Sequence, residues 1–321
     1  MKTKTTLGLL AAAFSVCILQ VSAQNYPSKP VRFIVPFVPG GPTDIQGRML
    51  GEKLAQRLGQ QVLIDNRGGA GGNIGMELTA KAPPDGYTIV IATVGTWAVN
   101  PHLYKLPFDV VKDFAPIIQV STSPGVLVVH PSVTSKNVQE LITLAKSKSL
   151  NGGSSGVGGA GHLALELFNL QAGTKIVHIA YKGGGPAIVD LLSGNINLIF
   201  ATAASAVPHI QTNRIRALAV TTIKRSALVP NLPTIAESGV KGFDANNWYG
   251  VLVPAKTPRP IINRLNKEIV AVLNLPDIKD ILFKSGLDAA PSTPEQFGAY
   301  IKSEKEKWEK VIKAAGLYQT N

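Results

Sequence analysis

Two stretches of this 321-residue chain match patterns that carry chemistry in other proteins. Gly152-Gly153-Ser154-Ser155-Gly156 fits G-x-S-x-G, the sharp strand-to-helix turn that exposes a nucleophilic serine. Such a turn needs a strong strand before it, yet Lys146 to Leu150 reads as a polar helix end. It also needs a histidine late in the chain, and His209 is the last of five. A serine-dependent hydrolase using the Ser154 region is therefore the alternative reading. Gly156, Gly158 and Gly161 fit the dinucleotide pattern G-x-G-x-x-G, but no strong strand precedes them and no acid stands about 20 residues on. His102, His130, His162, His178 and His209 form no close ligand pair, and no Walker A run occurs, so no metal and no cofactor is expected.

The same glycines have a second use. Pro39-Gly40-Gly41-Pro42-Thr43-Asp44, Thr93-Val94-Gly95-Thr96, Ser154-Ser155-Gly156 and Lys182-Gly183-Gly184-Gly185-Pro186 each stand between a strand pattern and a helix pattern. Turns of this kind expose backbone N–H groups at helix N-termini, where the dipole favours an anion. Glycine also lets a ligand approach the backbone closely. Several such turns at corresponding places point to capture of a small anion.

Alternating strands and helices must position these turns. Val31 to Phe37, Val62 to Asp65 and Tyr87 to Ala92 read as strands, with a helix from Ile45 to Leu58 stopped by Gly59 and another from Asn73 to Lys81. That order predicts a parallel α/β sheet with right-handed crossovers. A second series begins after about residue 122, with helices at Asn137–Lys148 and Leu163–Leu170 and strands at Ile176–Ile179, Ile196–Phe200 and Ile215–Val220. Phe114 to His130 would carry the chain out of the first lobe, and Gly242 to Pro254 would carry it back. Two crossings put a cleft between the lobes and a hinge beneath it.

Composition narrows the classes. Charged residues are 16% and hydrophobic residues 45%, which excludes a disordered chain. The formal charge is +12, but the basic residues are scattered and lack aromatic interleaving, so nucleic acid is not the expected partner. Lys2 and Lys4, the apolar run Leu7 to Leu19, and Val21-Ser22-Ala23 read as a signal peptide cleaved after Ala23. The product would be exported to the periplasm without Cys17, the chain's single cysteine.

The turns sit inside longer motifs: Tyr26-Pro27-Ser28-Lys29-Pro30-Val31-Arg32, Pro36-Phe37-Val38-Pro39-Gly40-Gly41-Pro42-Thr43-Asp44, Asp65-Asn66-Arg67-Gly68-Gly69-Ala70-Gly71-Gly72-Asn73, Pro84-Asp85-Gly86-Tyr87-Thr88, Tyr181-Lys182-Gly183-Gly184-Gly185-Pro186-Ala187 and Trp248-Tyr249-Gly250. Through them the chain resembles the Bug-type (Bordetella uptake) extracytoplasmic solute-binding receptors of tripartite tricarboxylate transporters. The resemblance implies a two-lobed type II periplasmic-binding-protein fold with a hinged cleft. The implied divisions are a signal peptide (1–23), a first domain (24–121 with 252–321) and a second domain (122–251). It implies a monomeric receptor, not an enzyme, that delivers a small carboxylate to a two-subunit membrane permease.

Carried onto this sequence, the resemblance places Phe37, Pro39, Gly40, Gly41, Thr43 and Asp44 in one jaw, with Thr93, Gly95, Thr96 and Trp97. Ser154, Ser155, Tyr181, Lys182, Gly183 and Gly184 form the other. Asp44 suits a helix start better than a ligand contact. Ala201 stands where many relatives have Asp, which argues against a bound ammonium group. Trp97 and Trp248 either face the cleft or pack between the lobes. If they face it, then with Phe37 and Tyr181 they would favour an aromatic acid over an aliphatic one.

Overall fold

The computed structural model describes residues 26–181 and 183–317, so the leader, Cys17 and Lys182 lie outside the described residues. β1 (Val31–Val35), β2 (Val62–Asn66) and β3 (Thr88–Thr93) pair in parallel, with α1 (Pro42–Leu58) and α2 (Asn73–Ala80) in the connections. α1 ends because Gly59 takes a left-handed φ of 68° and returns its N–H to the carbonyl of Ala55. After a wide helical turn at Gly95–Val99 and the short α3 (Asn100–Leu103), β4 (Phe114–Ser123) completes the outward passage. Pro124 alone separates it from β5 (Gly125–Val129) in the second sheet.

The second lobe continues with α4 (Val138–Ser147), β6 (Asn151–Ser154), α5 (Ala160–Ala172), β7 (Val177–Ala180), α6 (Gly184–Leu192), β8 (Leu198–Thr202), α7 (Ala203–Gln211) and β9 (Arg216–Val220). β10 (Asn247–Pro254) re-enters the first lobe, followed by α8 (Arg259–Leu273), α9 (Pro276–Lys284), β11 (Asp288–Ala289) and α10 (Pro294–Ala314). The first sheet has the order β11-β4-β10-β3-β1-β2, and the second β7-β6-β8-β5-β9.

Two details differ from the sequence reading. β10 pairs with β4 and β3 along its length, with Asn247 opposite Ser123, so a boundary at 251/252 would cut this strand. The return passage lies before Asn247, and the outward one falls at Pro124 rather than at 121/122. Second, a strand does precede Ser154. β6 escapes pattern reading because it is Asn-Gly-Gly-Ser and shows no apolar alternation. Its glycines pack closely, and a Cβ at Gly153 would stand 2.5 Å from Ile196 Cδ1, so that side chain would have to shift.

One face of the first sheet buries Phe33, Ile91 and Val251 against α1 and α8, through Leu50, Leu54, Leu265 and Ile269. The other face joins a core that runs through Trp97, Trp248 and Phe297 into Phe168, Phe200 and Phe243 of the second lobe. α10 thus packs on both lobes behind the paired crossing strands.

Candidate functional site

A cavity of about 330 Å³ lies on the second lobe beside the crossing strands. Three helices begin at its wall. Ala160 and Gly161 start α5, Gly184 and Gly185 start α6, and Thr202 with Ser205 brackets the start of α7. None of these three starts has a side-chain cap, a feature they share with α1, α2, α8 and α9, whereas α4 and α10 are capped by Asn137 and Thr293. The N-terminal ends of α5 and α6, with their leading N–H groups, and the dipole end of α7 therefore stand at one cavity wall, while the first N–H of α7, on Ala203, is donated to the Pro124 carbonyl at 3.1 Å. Glycine before α6 is a geometric requirement, because Gly183 has φ 115°.

The remaining wall has two characters. Ile188, Ile199, Phe200 and Ala201 give an apolar floor, and Ser123, Thr221 and Asn247 give a polar edge at the crossing. Thr221 Oγ1 accepts the N–H of Gly125 at 2.9 Å, which leaves its own proton to donate. No Asp, Glu, Lys, Arg or His lines the cavity among the described residues. The arrangement suits a carboxylate carried on an apolar body and offers a bound ammonium no counter-charge.

Of the expected residues, the structure brings Ser155, Gly184 and Ala201 to this wall. Gly183 donates its N–H to the carbonyl of Ser155 at 3.1 Å and so ties the two loops together. Lys182 lies outside the described residues. Tyr181 stands nearby, but its hydroxyl donates to Asp190 Oδ2 at 2.7 Å. Burial first, and the Asp190 carboxylate second, push that phenol up to about 12.

The first jaw stands apart from the cavity. Pro39 and Gly40 are exposed, Phe37 and Gly41 are half-buried, and Thr43 and Asp44 are buried. Asp44 sits inside the first turn, and the N-cap is Gly41. Its carboxylate accepts from Gly40 N–H (2.9 Å), Arg48 Nε (3.0 Å) and Asn66 Nδ2 (2.9 Å). Burial opposes ionisation there, but these bonds and the Arg48 charge outweigh it and hold the carboxyl below its ordinary value. Asp44 therefore shapes the loop. Thr93 and Thr96 satisfy each other, Thr96 Oγ1 accepting the Thr93 N–H at 3.0 Å and donating to the Thr93 carbonyl at 3.1 Å. Gly95 lies between them on the same turn.

Both tryptophans are corrections. Trp97 is 3% exposed and donates Nε1–H to the Ile301 carbonyl of α10 at 3.1 Å. Trp248 is fully buried, edge-on to Phe297, and donates to Glu304 Oε2 at 3.2 Å. Indole rings that supply this much core area, with their N–H groups satisfied, belong to packing and not to the cavity. Phe200 is the aromatic ring in the cavity wall among the described residues, so the expected stack of aromatic walls is not assembled.

The serine-hydrolase alternative also fails on geometry. Ser154 Oγ does share a 2.6 Å hydrogen bond with His178 Nε2. Yet Ser154 is 3% exposed and absent from the cavity wall, and Glu166 sits on the neighbouring ring of His162. A nucleophile must reach its substrate, and this one faces inward.

Sequence reasoning missed the hinge contribution of Ser123, Gly125, Thr221 and Asn247, which no local pattern marks. It also missed Thr202 and Ser205, although Thr202-Ala203-Ala204-Ser205 after a strand is the same turn chemistry read elsewhere.

Comparison with known proteins agrees with this geometry. Residues 47–317 match the model of the tripartite tricarboxylate transporter family receptor, TctC. The protein BugT of Bordetella pertussis is 36% identical over 304 residues, covering 92% of each chain. The structure of R. palustris Rpa4515 with adipate is 36% identical with a TM-score of 0.73, covering 91% of this chain and 98% of that one. A TctC solute-binding protein from Polaromonas, with no ligand, is 28% identical with a TM-score of 0.83, covering 90% and 99%. The chain belongs to the receptor family of the tripartite tricarboxylate transporters, the Bug-type solute-binding proteins.

Proposed function

We propose that this protein is an exported, non-catalytic receptor that captures a small carboxylate lacking an amino group and presents it to a two-subunit membrane permease. The carrying observation is the convergence of three uncapped helix N-termini on one cavity without a charged side chain among the described residues. Adipate on Rpa4515 and malate on R. palustris MatC, 36% and 28% identical to this chain, support a dicarboxylate. With Phe200 the one aromatic ring in the cavity wall among the described residues, a ring has no second face to stack against, which favours an aliphatic acid. Gly183 and the first-jaw residues Phe37, Pro39, Gly40 and Gly41 would complete the site from the rims. Cleavage after Ala23, release into the periplasm and action as a monomer complete the reading.

Adipate, malate, succinate, citrate, benzoate and terephthalate tested by thermal shift should sort the candidates. A ligand at 100 times its dissociation constant should stabilise by roughly 2.7 kcal/mol. The acid should be recovered unchanged, and turnover that disappears in Ser154→Ala would restore the hydrolase reading.

Closure is the second expectation. Small-angle scattering should show a smaller radius of gyration with saturating ligand, as the lobes turn about the β4 and β10 crossings. An unchanged radius with binding established would remove the hinge from this account.

A further inference from the structure

Beneath the loop joining β6 to α5 lie two imidazoles that take no part in the cavity wall. His162 of α5 and His178 of β7 stack with ring centroids 3.6 Å apart and planes within 13° of parallel. Each holds part of the loop. Gly158 donates its N–H to His162 Nδ1 at 3.0 Å. His178 Nε2 bonds Ser154 Oγ at 2.6 Å, and that hydroxyl accepts the Gly156 N–H at 3.2 Å and is placed to donate to the Gly156 carbonyl at 3.0 Å. Gly156 (φ 142°) and Gly158 (φ 74°) sit where side chains are rarely tolerated, so the turn depends on glycine and on these bonds. The turn carries Ser155 to the cavity wall and delivers the N-terminus of α5.

A ring nitrogen that accepts a backbone N–H must be unprotonated. His162 therefore carries its proton on Nε2, which faces Glu166 Oε1 at 3.4 Å. Protonating Nδ1 would set two donors against each other, and a second positive ring 3.6 Å away would be repelled. Burial first and the His162 ring second push His178 down to about 4, and Glu166 is the one charged group that opposes them. From β6 the pair meets only the neutral Ser154 hydroxyl.

We infer that His162 and His178 are positioning residues for the capturing loop: as a stacked pair they hold the Ser155–Gly159 turn in its anion-accepting shape, and a proton taken up at His162 Nδ1 removes the acceptor of the Gly158 N–H, loosens the turn and weakens binding. The inference rests on the cavity being the carboxylate site.

Its test uses the whole protein, His162→Asn, which keeps an acceptor near Nδ1 without titrating, and His162→Phe, which keeps a flat ring without the acceptor. Nuclear magnetic resonance follows the ring and the Gly156 and Gly158 amides, and calorimetry follows adipate, both across acid pH. In the wild type the Gly158 amide should titrate with the ring, and in His162→Asn it should not. Adipate affinity should fall about threefold further on acidification in the wild type than in His162→Asn. His162→Phe should bind about fivefold more weakly even at neutral pH. Adipate's own protonation occurs in every variant and cancels in the comparison. Identical profiles in wild type and His162→Asn, or a Gly158 amide indifferent to the ring, would overturn the inference. If adipate gives no heat with any variant, the carboxylate reading falls, while the amide titration still decides whether ring and loop are coupled. Should His162→Phe not fold, His162→Asn alone decides both arms.

Discussion

Replacing Ala201 with aspartate should lower affinity for mono- and dicarboxylates by at least about 100-fold, or roughly 2.7 kcal/mol. Ala201 is 8% exposed, stands next to last in β8 after the apolar Leu198, Ile199 and Phe200, and lines the cavity shortly before α7 begins. A carboxylate there would stand in the space that three helix N-termini prepare for the ligand's own. It would take up their N–H groups and repel a second negative charge in a poorly screened site. Ala201→Asn, similar in size but neutral, should lose far less. Calorimetry on both variants separates charge from bulk. Equal losses would mean that bulk, not charge, governs the site.

Truncating Trp97 or Trp248 to alanine should cost about 3–5 kcal/mol of stability. Each buries a large ring and gives up a satisfied N–H, and Trp248→Ala also removes a donor from the buried Glu304 carboxylate. Burial, the largest influence, pushes Glu304 up, so the loss of a donor falls on a group already costly to ionise. Urea unfolding should show the drop, while protein that remains folded should keep its ligand affinity within a few fold. A variant of unchanged stability that loses binding would return the indoles to the cleft.

These residues show where sequence reading reached and where it stopped. The α/β alternation and the two-lobed fold were legible because each depends on local features: buried apolar runs and glycine stops. The tryptophans were not legible. Trp97 is aimed by a wide helical turn at a carbonyl more than 200 residues away, and no local signal reports a partner at that distance. β6 was illegible for the opposite reason. Its neighbours Leu165, Ile176 and Ile196 supply the apolar surface and pack directly against the glycines. The cavity's hinge wall combines Ser123 and Gly125 with Thr221 and Asn247, which the folded crossings alone bring together. Asp44 was legible as a helix-start residue, but its role in clamping Gly40 needed the position of Asn66 on β2.

The central claim is that helix N-termini, hydroxyls and backbone amides of the second lobe recognise a carboxylate as such. Calorimetric titration with adipate and with its uncharged diamide, under identical buffer and salt, tests it directly. The account predicts one-to-one binding of adipate and at least about 100-fold weaker binding of the diamide. Comparable binding of the diamide, or adipate binding that survives Ala201→Asp intact, would contradict it.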